Sequence, residues 1–405
     1  MAKRVVPTMI CSDQASLCIS SNGDVYSAGN SNSGVHGHGR NGISIKQFTV
    51  IPSLHHITNI DCCSNFTICL DNEGSVFTFG SNEYGQLGVS NRKDLPRSYT
   101  PQKVELPPCK QVCCGDSFAI CVSDSSEVYS FGFNPYGQLG YDLNMPIIPH
   151  TSTPKKIESL KDVDFVSCGS IHVICKTMDN QVYGWGNSSI GQLGFKEKDN
   201  ITTPTKLENW MDDVVDIKCG TSHTLVLTAN QEVFSCGTNR YGQLGRLGKT
   251  YSYSPALKKV RELSDIVRIE CGNDSSLCID VYNNLFVFGY NNMYNNGGHL
   301  GLGDSKNCYK PVKHPLSNVI DVSKGNKQAF VKTSNNEIFA FGENSSSQLG
   351  TETKEFIQKT PIRVLEHNED IWFSNINKSK QKSARSVFPR PSNEEDNSPP
   401  KKKQK

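Results

Sequence analysis

The chain has 405 residues, of which 36% are hydrophobic and 20% charged, with 33 glycines, 19 prolines and 16 cysteines. Its formal net charge of +2 excludes a uniformly basic, duplex-binding body. It contains no apolar run of the roughly 18 residues that a membrane helix needs, so no membrane association is expected.

Residues 1–10 lack the apolar core of a secretory leader. The expectation is a protein that is not secreted and keeps its thiols reduced, in the nucleus and/or the cytoplasm. From Cys11 onward one ruler fits the sequence seven times. Cys11, Cys62, Cys114, Cys168, Cys219, Cys271 and Lys324 hold equivalent anchor positions, and eighteen residues after each lies a glycine: Gly29, Gly80, Gly132, Gly186, Gly237, Gly289 and Gly342. Between anchor and glycine, two alternating runs flank a short polar turn, which predicts a β-hairpin with one buried face per strand. The run 224–228, turn 229–231 and run 232–236 give the clearest copy. Eight residues beyond the glycine, six copies close a GQLG-type loop, at Gly37, Gly88, Gly140, Gly194, Gly245 and Gly350.

The position-eighteen glycines recur every 51 to 54 residues. A period near fifty, all strand and turn, is that of radial β-blades. The predicted fold is all-β: a seven-bladed β-propeller over residues 1–373, followed by a disordered basic tail over 374–405. The N-terminal copy starts without the strand that begins Thr-Pro in other copies (100–104, 153–157, 203–207). One such strand is left over at 360–364, after the last loop. Strands from both termini are therefore expected to share one blade and close the ring, which would remove the exposed edges.

Two copies depart from the pattern. In the first, Gly34-Val35-His36-Gly37 replaces GQLG. In the sixth, four extra residues separate the glycine from the loop, giving Asn291, Asn292, Met293, Tyr294, Asn295, Asn296, Gly297 and Gly298 before His299. Such a polar, Gly-ended insertion is expected to protrude, either as a tolerated surface loop or as a probe that enters a partner.

Beyond residue 374 periodicity stops. Nine Lys/Arg against three acidic residues give the tail about +6 and leave about −4 for the rest of the chain. Lys401, Lys402, Lys403 and Lys405 follow two prolines and form a candidate nuclear import signal. The tail is also the candidate for any chromatin contact.

The FG-x-N-x-YGQLG loop, the Thr-Pro strand start and the Cys-Gly-x-x-His turn resemble the regulator of chromosome condensation repeat, over roughly residues 5–373. The resemblance implies a seven-bladed propeller that binds other proteins as a monomer. It also implies guanine-nucleotide exchange on a Ran-type small GTPase for family members that carry the exchange elements. By that likeness Asn295-Asn296-Gly297 matches the family's wedge hairpin, and Asp116 and Asn273-Asp274 match acidic turns that meet the GTPase. The match is partial: these two turns lie three repeats apart, and Lys327 stands where a further acid is expected. The alternative is a scaffold or cytoskeletal/ciliary adaptor propeller without exchange activity.

No nucleophile–base set stands outside the repeat, so no enzyme chemistry, no catalytic residue and no cofactor is expected. The GQLG loops lack the Lys-Ser/Thr and the following helix that a phosphate cradle uses. Anchor cysteines and the five at position seven (Cys18, Cys69, Cys121, Cys175, Cys278) alternate with other apolar residues on buried strands, which makes them small core filler. No Cys-x-x-Cys spacing exists, so no metal is expected. His172 and His223, four residues after their anchors, are expected to serve structural hydrogen bonds.

Overall fold

The computed structural model describes residues 9–30, 32–39, 44–89, 95–141, 149–195, 200–208, 210–246, 253–291 and 297–364. Within them lie seven four-stranded antiparallel sheets, each made of four consecutive strands. The blades span 9–50, 57–104, 109–156, 163–206, 214–259, 266–313 and 319–363. The predicted hairpin of the fifth copy is present as strands His223–Thr228 and Val233–Thr238. Asn283 and Asn336 take φ of 64° and 62° in the second-to-third strand turns, the left-handed conformation that Asn tolerates at low cost.

The core is divided in seven. Each apolar cluster joins one blade to the next: for example Phe66 and Ile68 with Val112 and Phe131, or Phe118 and Leu139 with Val173 and Trp185. The first strands touch one another around the ring and so form its innermost layer. One consequence was not visible within a single repeat. In most blades the glycine that ends the GQLG-type loop lies on an aromatic ring of the following blade, whereas Gly194 lies on Trp210 in the connector to blade 5. A Cβ on Gly88 would approach Phe131 to 2.8 Å, and one on Gly140 would approach the Trp185 indole nitrogen to 3.0 Å.

The expected closure by shared terminal strands is not what the chain does. The strand Ile357–Arg363, with the left-over Thr-Pro, pairs with Ile338–Glu343 as the outer strand of blade 7. Blade 1 is complete in itself, and its outer strand is Ser44–Val50. That strand lacks Thr-Pro, so its role was hidden in the sequence and the motif at the other end seemed to be the missing piece. The ring closes without a shared strand, by side-chain packing and hydrogen bonds. Met9, Cys11 and Cys18 meet Phe330, Ala340 and Leu349, while Gln328 Nε2 donates to the Ser12 carbonyl. The expected boundary at 373/374 and the tail lie outside the described residues.

Candidate protein-binding face

In each blade the turn between the first two strands and the GQLG-type loop emerge at the same end. The register requires it: the residue four after the anchor pairs with the position-eighteen glycine, as Ala15 pairs with Gly29 and His223 with Gly237. One face of the ring therefore carries seven central turns surrounded by seven loops.

The loops are rigid for local reasons. In blade 2 the Asn82 carboxamide oxygen accepts from Leu87 N at 3.1 Å, and Gln86 Oε1 accepts from Tyr84 N at 2.9 Å. Blades 3, 5 and 7 repeat both bonds. The Gln of GQLG is thus fully buried scaffold. Exposed positions fall to the tips, including Tyr84 and Tyr136, with Tyr84 tilted against Phe133 at 4.6 Å between centroids.

Blade 6 keeps this bond across its insertion. Asn291 Oδ1 accepts from Leu300 N at 2.9 Å, nine residues on instead of five, and the four added residues account for the difference. Asn291 Nδ2 donates to Asp304, and Gly298 N donates to the Asn291 carbonyl at 3.1 Å. Gly298 also approaches the neighbouring blade so closely that a Cβ would lie 2.8 Å from the Lys359 Cα. Asn291, Gly297 and Gly298, three of the expected contact residues, are buried, and Asn291 and Gly298 brace the insertion. Asn292, Tyr294, Asn295 and Asn296 lie outside the described residues. Replacing Asn291 with alanine should cost about 1–3 kcal/mol, because the buried Leu300 amide loses its acceptor. Denaturant unfolding measures this, and a change under about 0.5 kcal/mol would count against the brace.

The central turns are stitched sideways: Asp116 N donates to the Ser170 carbonyl at 3.1 Å, and Thr221 N donates to the Asn273 carbonyl at 2.9 Å. Asp116 is exposed. The neighbouring turns still desolvate its carboxyl in part and raise its pKa; a hydrogen bond from Ser170 opposes this and the Asp13 charge adds to it. Asp274 is half-buried and accepts from Gln243 Nε2 at 3.0 Å. Desolvation raises its pKa too, against Gln243 and the charges of Arg240 and Lys324. Asp116 and Asp274 thus share one rim without touching, and Asp274 is already engaged. Lys327 is also engaged, pairing with Glu343 at 3.0 Å.

His172 and His223 are the expected structural histidines. Their Nε2 atoms reach into the next blade, to Thr224 Oγ1 at 3.3 Å and to Ser276 Oγ at 3.0 Å. Burial holds both pKa values down at about 3, so they are neutral and carry no charge to the face. Among the described residues, no group of three His, Cys, Asp or Glu side chains is placed to hold a metal ion.

A ring of rigid loops, with Tyr84 and Tyr136 exposed at two tips and Asp116 and Asp274 on the rim around its centre, is the face of a protein-binding β-propeller. The match to family models is consistent with this: residues 2–215 match the RCC1-like domain, and 214–243 and 230–279 match the regulator of chromosome condensation repeat. The chain belongs to the RCC1-like domain family.

Among its relatives is the serine/threonine-protein kinase Nek9 of Xenopus laevis, 30% identical over 70% of this chain; the chain spans 32% of that kinase's length. The ultraviolet-B receptor UVR8 of Arabidopsis thaliana is 26% identical, over 81% of this chain and 76% of the receptor. Yeast RCC1 (Prp20), solved bound to Kap60, superposes with a TM-score of 0.75 at 20% identity, covering 91% of this chain and 89% of that one. These are likenesses of fold, and the propeller is their shared part.

Proposed function

We propose that this propeller is a guanine-nucleotide exchange factor for a Ran-type small GTPase, acting through its loop face without covalent chemistry. The observation that carries the reading is the braced insertion of blade 6. Four added residues stand between buried bonds that hold the loop base as firmly as in the other blades. A segment braced at both ends can press on a partner without deforming its own scaffold. The likeness to Prp20p of Saccharomyces cerevisiae, studied for its binding to Gsp1p and histones, supports the partner class. Exchange asks only that the face bind the nucleotide-free GTPase better than the loaded one. In this reading Asp116 meets a basic partner side chain directly. Asp274 does so only by giving up Gln243.

The test is release of a fluorescent guanine nucleotide from purified Ran. Deleting 293–296 restores the five-residue span between Asn291 and Leu300, so the variant should melt with the parent and lose its acceleration of release. A parent that releases no faster than buffer defeats the exchange reading. Equal acceleration by both proteins removes the insertion from it.

A second reading, an adaptor propeller without exchange, is favoured by the tie between Lys327 and Glu343 where a free acid is expected. It predicts retention of a partner on the loop face with no effect on nucleotide release. For localisation we propose that the tail directs nuclear import. Changing Lys401, Lys402 and Lys403 to alanine should move a fluorescent fusion into the cytoplasm, and an unchanged nuclear signal would refute that.

A further inference from the structure

The inner layer of the ring contains a second repeating device. In several blades the side chain just before the anchor meets the anchor of the following blade. Asp61 Oδ2 accepts from Cys114 N at 2.8 Å, and Ser167 Oγ accepts from Cys219 N at 3.2 Å. At the closing seam Ser323 Oγ lies 3.9 Å from Cys11 Sγ. Between blades 3 and 4 the same geometry brings two sulfurs together, because Cys113 precedes its anchor and Cys168 is the next one. Cys113 Sγ accepts from Cys168 N at 3.2 Å, which sets the two cysteines side by side across the interface. The residues before the other anchors are Ile10, Asp61, Ser167, Lys218, Glu270 and Ser323, so Cys113 alone among them sets a sulfur against the next anchor; Cys63, which neighbours Cys114 between blades 2 and 3, follows its anchor instead. Both cysteines are free and half-buried, in contrast to the fully enclosed filler such as Cys18, Cys69 and Cys175.

We propose that Cys113 and Cys168 are a redox modification site, joined by a hydroperoxide into a disulfide that clamps blade 3 to blade 4. The chemistry balances with groups in place. Asp61 sits next to Cys113, bonded to the adjoining Cys114 amide, and its carboxyl, held above the usual range by desolvation, is suited to take the proton. The Cys113 sulfur attacks the peroxide, the O–O bond breaks, and the departing oxygen leaves as an alcohol, or as water from hydrogen peroxide. The Cys168 thiol, pushed up by burial and by Cys113, keeps its proton until it attacks the resulting sulfenic acid. The S–O bond breaks, water leaves, and the two thiols have given two electrons to the peroxide. Asp116 and Ser170 lie three and two residues beyond the pair and are already bonded across the same interface. The clamp would therefore fix two central turns of the loop face.

The experiment uses the full chain, reduced, freed of reductant and treated with one equivalent of hydrogen peroxide. Thiol titration in denaturant should show two of the sixteen cysteines lost, with mass spectrometry giving a loss of two hydrogens. Non-reducing tryptic digestion should link 111–155 to 162–176. Those peptides also hold Cys114, Cys121 and Cys175, so C114S, C121S and C175S should keep the link while C113S and C168S each abolish it. Serine before the anchor is what blades 4 and 7 already carry, so C113S should fold, and an unchanged melt of the reduced variant checks this. Persistence of the link in C113S, a link to the peptide holding Cys63, or oxidation spread over many cysteines would each overturn the proposal.

Discussion

Replacing Trp185 with alanine is expected to remove about 3–5 kcal/mol of stability, the range for truncating a large buried aromatic. Trp185 is fully buried between Phe118, Ile157 and Val173, and its indole N–H donates to the Gln138 carbonyl of the preceding blade at 2.9 Å. The loss therefore combines a cavity at one interface with a buried carbonyl that loses its donor. Against a typical total of about 5–15 kcal/mol this is a large fraction. Phenylalanine, which blades 2, 3, 6 and 7 carry at this position as Phe79, Phe131, Phe288 and Phe341, should cost less than half as much. Denaturant unfolding of both variants decides. A W185A protein within about 1 kcal/mol of the parent would show that the interface does not depend on this ring.

The second large effect concerns Lys324, the one anchor that is not a cysteine. Its side chain is buried, and its ammonium donates to the carbonyls of Gly325, Asn326 and Gln328 at 3.0, 3.3 and 3.4 Å. Desolvation lowers its pKa from 10.5 to about 8, although Cys11, Asp13 and Asp274 favour the charge. Below pH 8 both folded and unfolded chains hold this proton, and burying the charge costs about 3 kcal/mol. Between pH 8 and 10.5 the unfolded chain binds more of the proton, so this contribution to stability rises with pH. Lys324→Met removes the penalty but forfeits the carbonyl contacts, about 1 kcal/mol. The variant should be about 2 kcal/mol more stable at pH 7 and about 1 kcal/mol less stable near pH 10.5. The buried cysteines titrate in the opposite sense over that range, so the parent–variant difference is the quantity to follow. A difference that does not change sign would disprove the assignment.

The blades were legible because hairpin alternation and turn glycines recur within every repeat. What passes between repeats was not. Gly140 reads as a turn residue, and only the ring of Trp185 beneath it shows why a side chain there has no room. The missing strand was misplaced because the outer strand of blade 1, Ser44–Val50, has no Thr-Pro to announce it. At the site, residue type suggested contact where burial shows bracing. Asn291 reads as one more polar loop residue, yet its spacing of nine to Leu300, against five between Asn82 and Leu87, marks it as the bracket of an insertion. Asp274 reads as a free acid, and its hold on Gln243 lies in another repeat, where no motif points to it.

Because the ring shuts without exchanging a strand, its last contact must wait for the last blade to be made. During synthesis blade 1 is complete after some fifty residues, but Met9, Cys11, Cys18, Tyr26 and Phe48 have no cover until Phe330, Ile338 and Leu349 emerge. For most of its translation the nascent chain therefore carries an apolar flank that only its own final blade can satisfy. That interval is when the protein is most open to chaperones and to pairing with a second nascent copy.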